Sequence, residues 1–286
     1  MKIIYLMGAG RSGTTLLATL LGNAKGITTL GEMHQFLDYY LDKKPCSCGA
    51  DLDQCEFWSK VIKRLEQNHS RQELIEMNQL RDRVEGHRHI IKSLLRSNKA
   101  YQTFQRQLFE HVAAVHPNVT LLDSAKYISR GLQLARIKEA EVKVVYVVRD
   151  VRGVIFSFGK KVQTQKSPLS AMIYYKLINF FGLLAQWTMG KGKVMRLRYE
   201  SLVESPEESL SHLETFLDQD LSAVNSKLKA KEPFQMPHII AGNRLVSAKH
   251  IELKPDFAWK QTQPRAMQML YYLLNLPLQL IFKYRI

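Results

Sequence analysis

Apolar and polar residues follow two different periods along the chain, and the switches between them outline its elements. The run Ile3-Ile4-Tyr5-Leu6-Met7 is apolar throughout, as in a strand covered on both faces. A turn, Gly8-Ala9-Gly10-Arg11-Ser12-Gly13-Thr14-Thr15, follows it, and Leu16-Leu17-Ala18-Thr19-Leu20-Leu21 then predicts a helix closed by Gly22. Residues 27–30 predict a short extended piece, and 33–43 a helix ending at Lys43-Lys44-Pro45. From about 59 to 116, charged residues at helical period predict two or three helices, broken at Gly86 and Pro117. Further strands are predicted at 119–122, 142–148 and 193–199, with helices over about 126–139, 151–161 and 168–189 between them. This alternation indicates an α/β fold, with three α/β/α layers around a mostly parallel sheet. No long linker interrupts it, so 1–286 reads as one domain, with 33–115 as a helical insertion or lid and 264–286 as a C-terminal helix. In such sheets ligands lie beyond the carboxyl ends of the strands.

Composition narrows the class of partner. With 45% hydrophobic and 23% charged residues the chain has the balance of a soluble globular protein, and its length allows a substantial core. Its 41 Lys and Arg against 26 Asp and Glu give a net charge of +15. That excess favours an anionic partner, whether a polyphosphorylated cofactor, an acidic substrate, nucleic acid or a membrane surface. The first apolar run is too short for a signal peptide, and no uninterrupted run reaches the ~18 residues of a spanning helix. Three cysteines, an odd count for a disulfide framework, fit a reducing compartment, and a cytoplasmic location is expected. Residues 267–282 are largely apolar and end in Lys283-Tyr284-Arg285, which leaves peripheral membrane contact as the alternative to a packed last helix.

The glycine-rich turn carries the chemistry. Gly8 and Gly13 have the G-x-x-x-x-G spacing of a P-loop, whose backbone N–H groups and helix N-terminus cradle an anion. Thr15 takes the hydroxyl position, but Thr14 stands where a nucleotide triphosphatase has its lysine. The nearest replacement cation is Arg11, able to bridge two oxyanion oxygens. A second anion site is suggested where the strongest strand ends: Arg149 projects from it and Ser157 lies about two turns into the next helix. The alternative there is an Arg149 paired with an acidic neighbour and a Ser157 that merely packs.

Together, Arg11-Ser12-Gly13-Thr14-Thr15 and Arg149-Asp150…Ser157 resemble the paired phosphate sites of the sulfotransferase family. Leu122-Asp123-Ser124-Ala125-Lys126, Leu197-Arg198-Tyr199-Glu200-Ser201-Leu202 and Gly242-Asn243-Arg244 are similar to further family segments. The resemblance implies a P-loop nucleotide-triphosphate-hydrolase-like fold and 3′-phosphoadenosine 5′-phosphosulfate (PAPS) as sulfuryl donor, released as adenosine 3′,5′-bisphosphate (PAP). It implies that Arg11, Ser12, Gly13, Thr14 and Thr15 hold the phosphosulfate and Arg149 and Ser157 the 3′-phosphate. Lys126, Tyr199, Asn243 and Arg244 are implied near the cofactor. Arginine rather than lysine at position 11 looks like the tyrosylprotein sulfotransferases, in which a glutamate 21 residues later is the base; Glu32 stands there, with His34 as the alternative base. The acceptor, whether small molecule, carbohydrate, lipid or peptide, is not specified by fold and cofactor site.

Two other readings compete. One is a P-loop kinase or NTPase with an atypical loop, for which Asp123 is the only magnesium contender. The other is a basic module for RNA or acidic lipid, using the Arg- and Lys-rich segment from Arg81 to Arg106; it lacks aromatic–basic interleaving, so no nucleic-acid partner is expected. The transfer chemistry needs no metal, and none is expected. Cys46, Cys48 and Cys55 stay open as a local structural knot, a redox-sensitive pair, or three soft ligands that need a His or Asp to close a zinc site.

Overall fold

Strand β1 (Lys2–Gly8) lies in the middle of a parallel sheet, in a computed structural model that describes residues 1–160, 165–242 and 248–286. The sheet's other strands are β2 (Ile27–Gly31), β3 (Thr120–Lys126), β4 (Glu141–Val148) and β5 (Val194–Arg198), in the order β2-β3-β1-β4-β5, so β1 pairs with β3 and β4. The strand period explains the layers. Ile3, Tyr5 and Met7 enter one core with Val142, Val144, Tyr146 and Val148, while Ile4 and Leu6 enter a second with Val145 and Val147. Both faces must therefore be covered, and helices cover them.

In chain order the helices are α1 (Thr14–Leu21), α2 (Phe36–Leu41), α3 (Trp58–Asn68), α4 (Arg71–Val84), α5 (Ile90–Leu95), α6 (Lys99–Val115) and α7 (Ile128–Leu134). Then come α8 (Val151–Gly159), α9 (Pro168–Met189), α10 (Tyr199–Glu204), α11 (Pro206–Leu217) and α12 (Ser222–Ala230), followed by α13 (Ala258–Thr262), α14 (Arg265–Leu274) and α15 (Leu276–Ile281). Leucines of α1, α10 and α11 fill the second core; α7, α8, α9 and the insertion fill the first.

Three expectations change in detail. Strand β3 runs to Lys126, four residues past its predicted end, because its polar Asp123 is matched inside the protein. The region 59–116 holds four α-helices rather than two or three, since Gly86 (φ 97) ends one pair and Asn98 caps α6 through Tyr101 N–H at 3.0 Å. The C-terminal stretch is two helices that hinge at buried Asn275, whose Nδ2 donates to Tyr271 at 2.8 Å just before Pro277. Helix α9 is long and apolar enough to cross a membrane by length and composition. One of its sides is nevertheless packed inside, with Tyr146 filling the space beside Gly182, while Leu169, Ile173, Leu177, Phe180 and Trp187 are exposed.

The insertion is fastened to the sheet by charge. Fully buried Arg130 of α7 donates to Asp123 at 2.7 Å, to Glu85 at 2.7 Å and to the Tyr101 hydroxyl at 2.8 Å. Burial pushes both carboxyls up, while the two anions outweigh the desolvation of Arg130 and hold its pKa well above the ordinary value. A group so enclosed is tolerated only while paired; removing one partner of such a cluster costs about 3–5 kcal/mol.

Candidate active site

Every strand of the parallel sheet delivers a candidate residue at its carboxyl end. Arg11 follows β1, Glu32 follows β2, Lys126 ends β3, Arg149 follows β4, and Tyr199 follows β5. They converge on the turn between β1 and α1. Gly13 caps α1 at φ 92, and a Cβ there would stand 2.5 Å from the Tyr199 ring, so only glycine fits. Arg11 itself is left-handed at φ 69, a conformation that L side chains adopt sparingly. Ser12 is buried with its Oγ unpartnered, and the Gly10 N–H donates to the Tyr174 hydroxyl at 2.9 Å.

Arg11 and Gly13 form a shared wall between two cavities. The first, about 530 Å³, is also lined by Arg149, Ser157, Lys160, Tyr199, His250, Lys254 and Asp256. Arg149 donates to the Arg11 carbonyl at 3.1 Å and to the Asp256 carbonyl at 2.7 Å, and its guanidinium stacks 4.3 Å from the Tyr199 ring centroid. Arg149 has the acidic partner that one of the two sequence alternatives gave it. It pairs with the Asp256 carboxylate at 3.3 Å, yet it lines the cavity and keeps a buried Nε without a partner. Burial alone would raise the Asp256 carboxyl, but Arg149 and Lys160 beside it bring it below the ordinary range. Asp256 N–H donates to the Tyr199 hydroxyl at 3.0 Å, which fixes the ring against Gly13.

The second cavity, about 400 Å³, brings together Thr14, Thr15, Glu32, His34, His87, Lys126, Tyr127, Phe158, Lys166, Tyr174 and Gly242. Gly31 takes φ 82 and would clash with the Ile240 backbone if it carried a Cβ. The next N–H, that of Glu32, donates to the Ile240 carbonyl at 2.7 Å, so the carboxylate projects from a backbone pinned on both sides. One Glu32 oxygen is ion-paired with Lys126, itself left-handed at φ 72; the other accepts from Gln35 at 3.3 Å and lies 4.0 Å from His34 Nε2. Burial, then Lys126, Arg130, Arg81 and His87, hold the His34 imidazole well below its ordinary pKa. A ring held neutral, with a buried and unpartnered Nδ1, is a weak proton acceptor.

The structure thus gathers the expected residues but sorts them. Ser157, Arg149 and Tyr199 line the first cavity; Glu32, His34, Thr14 and Thr15 line the second. Lys126, expected near the cofactor, sits with Glu32 and away from Arg149. Asn243 and Arg244 lie outside the described residues. Asp123, the magnesium contender, is fully buried, its carboxylate spent on Arg130 and the Ala125 N–H at 2.9 Å. Tyr174, His87 and Asp256 were not singled out from sequence, and no local motif marks them. Lys160 had a signal, since it closes the same helix that carries Ser157.

The sequence matches the model of the sulfotransferase family over residues 4–223. No curated protein sequence matches the chain. Among solved structures, the sulfotransferase domain from the Synechococcus PCC 7002 olefin synthase superposes with a TM-score of 0.59 at 20% identity, covering 100% of this chain and 96% of that one. The sulfotransferase domain from the curacin biosynthetic pathway gives 0.59 at 18% identity, covering 100% and 98%. A sulfotransferase from Mycobacterium avium gives 0.51 at 11% identity, covering 96% and 76%. At these identities the likeness is one of fold.

Proposed function

The chain belongs to the sulfotransferase family, and from that premise we propose that it transfers a sulfuryl group from PAPS to a hydroxyl or amine acceptor, with Glu32 as general base. The observation that carries this reading is the pair of cavities divided by Arg11 and Gly13, with Arg149 and Ser157 on one side and Glu32, paired with Lys126, on the other. The first cavity is the donor side. Arg149 and Ser157 would hold the 3′-phosphate, and Arg11, the loop N–H groups and Ser12 the phosphosulfate. Ser12 Oγ and Arg149 Nε are buried polar atoms that such a ligand would satisfy.

The second cavity is the acceptor side. When bound, PAPS supplies the sulfuryl group and departs as PAP with the electron pair of the broken S–O bond. Glu32 takes the acceptor's proton as the acceptor's oxygen or nitrogen bonds to sulfur. Lys126 holds Glu32 in place through their ion pair. Arg11, on the wall common to both cavities, faces the charge that builds on the leaving oxygen, and a fixed guanidinium there does so without reorganising. Tyr127, Phe158 and Tyr174 give the acceptor side flat apolar walls suited to a ring-bearing or lipid-like acceptor.

A kinase reading has little to stand on, because Asp123 is sequestered and position 14 is threonine. Thermal unfolding separates the two. PAP at about 100 times its Kd adds roughly 2.7 kcal/mol of stability, whereas ATP with magnesium leaves the midpoint unchanged. Stabilisation by ATP–magnesium alone overturns the sulfotransferase mechanism described here.

A further inference from the structure

The three cysteines left open by the sequence meet a fourth ligand in space. Cys46, Cys48 and Cys55 come from the loop between α2 and α3, and His238 from the segment before Ile240. All four ligand atoms lie within 4.8 Å of one another. Cys48 Sγ is 3.7 Å from Cys55 Sγ, and Cys55 Sγ is 3.2 Å from His238 Nδ1. A tetrahedral zinc with Zn–S of about 2.3 Å and Zn–N of about 2.0 Å spaces sulfurs by about 3.8 Å and sulfur from nitrogen by about 3.5 Å. The Cys48–Cys55 edge matches that spacing, the Cys55–His238 edge is about 0.3 Å shorter, and the four atoms together enclose a space of one ion. No disulfide joins any of the three.

We propose that Cys46, Cys48, Cys55 and His238 bind one zinc ion in a closed structural site that braces the backbone carrying Glu32. Four protein ligands leave no open position for substrate, so the ion is structural and takes no part in transfer. Binding displaces the three thiol protons to solvent and joins three thiolates and a neutral imidazole to the metal.

The surroundings are built for such an ion. Cys46 N–H donates to Ala50 at 2.9 Å, Gly49 N–H to Cys46 at 2.8 Å and Cys55 N–H to Asp51 at 2.8 Å, which folds the cysteine loop into a tight knuckle. Ser47 Oγ donates to the Pro237 carbonyl at 2.7 Å and accepts from Ile239 N–H at 2.9 Å. Trp58 Nε1 donates to the His238 carbonyl at 3.1 Å. The knuckle thus grips residues 237–239 on both sides of the histidine. The next residue, Ile240, is the one that receives the Glu32 N–H and donates to Leu30 at 2.9 Å. Metal, knuckle, Ile240 and Glu32 form one continuous chain of contacts.

The test uses the full chain, purified under reducing conditions without a polyhistidine tag. Elemental analysis should find one zinc per chain, and cobalt(II) added to chelator-stripped protein should give the intense visible bands of a tetrahedral thiolate site. Cys48→Ser, at the exposed ligand, should fold and lower zinc affinity at least tenfold; His238→Ala should do likewise. Chelation should lower the thermal midpoint and the turnover while leaving the PAP-induced stabilisation in place. The metal measurements stand whether or not the chain proves to transfer sulfate. A chain that is metal-free as purified and takes up no cobalt overturns the proposal, as does an octahedral spectrum or unchanged affinity in both variants.

Discussion

The two cavities that meet at Arg11 are made of different materials. The donor side gathers Arg11, Arg149, Lys160 and Lys254 around Asp256 and Glu252, so charge reads the ligand there. The acceptor side sets the Glu32–Lys126 pair and two histidines among Tyr127, Phe158 and Tyr174, so proton handling and shape read it. Anions of fixed chemistry need fixed cations; an acceptor needs a base and a surface. If this division is right, changes on one side should leave the other side's measurable quantity alone.

The largest separation should come from Glu32→Gln. The amide keeps the shape and its bond to the Ile240 backbone but cannot take a proton, so turnover should drop by about 10²–10⁴-fold. The stabilisation by PAP should match that of the parent. Near-normal turnover in this variant would remove Glu32 from the base position and return it to His34 or another group.

Arg149→Ala tests the other side and should be the next largest effect. Losing a charged hydrogen-bonding group costs about 1.5–3 kcal/mol, or roughly 10- to 150-fold in PAP affinity. Because Arg149 also holds the Arg11 and Asp256 carbonyls, some loss of thermal stability should accompany it. Ser157→Ala removes a single neutral hydroxyl and should weaken PAP by about 1 kcal/mol, near fivefold, with turnover at saturating donor unchanged. A larger effect of Ser157 than of Arg149 would contradict a charge-dominated donor side.

What could be read from sequence follows the same division. Arg11 and Arg149 were visible because each lies at the carboxyl end of a strand, where local pattern and function coincide, and Glu32 through its spacing from Arg11 and the family resemblance. Lys126 was visible as a residue but not as a partner: its pairing with Glu32 depends on β2 and β3 being neighbours in the sheet, which no local pattern states. Tyr174 reads as one more aromatic residue in the apolar α9, and only packing brings its hydroxyl to the Gly10 N–H. His238 lies 183 residues from the cysteine it faces. The apolar run that predicts β3 stops at Leu122, whereas the strand continues through Asp123, which Arg130, seven residues on, satisfies inside. Local periodicity carries elements; long-range pairing of polar groups does not show in it.

A last predicted effect, read in stability rather than in turnover or affinity, concerns the acceptor side alone. His34 is held neutral by burial and by Lys126, Arg130, Arg81 and His87. Its folded pKa lies below the unfolded value of 6.5, so below that pH the unfolded chain binds a proton that the folded chain refuses. Stability linked to His34 is therefore complete above pH 6.5 and is lost as pH falls toward the folded pKa, by at most about 1.4 kcal/mol per pH unit for one proton. His34→Gln lacks this titration. Its thermal midpoint should fall less steeply than the parent's between pH 6.5 and 5, while the two proteins show parallel curves from pH 6.5 to 8. Other groups titrate alike in both, so the difference isolates this ring. Coincident acid limbs would mean that His34 takes up its proton as readily in the folded protein as in the unfolded chain, and the choice of Glu32 would then rest on the Glu32→Gln turnover alone.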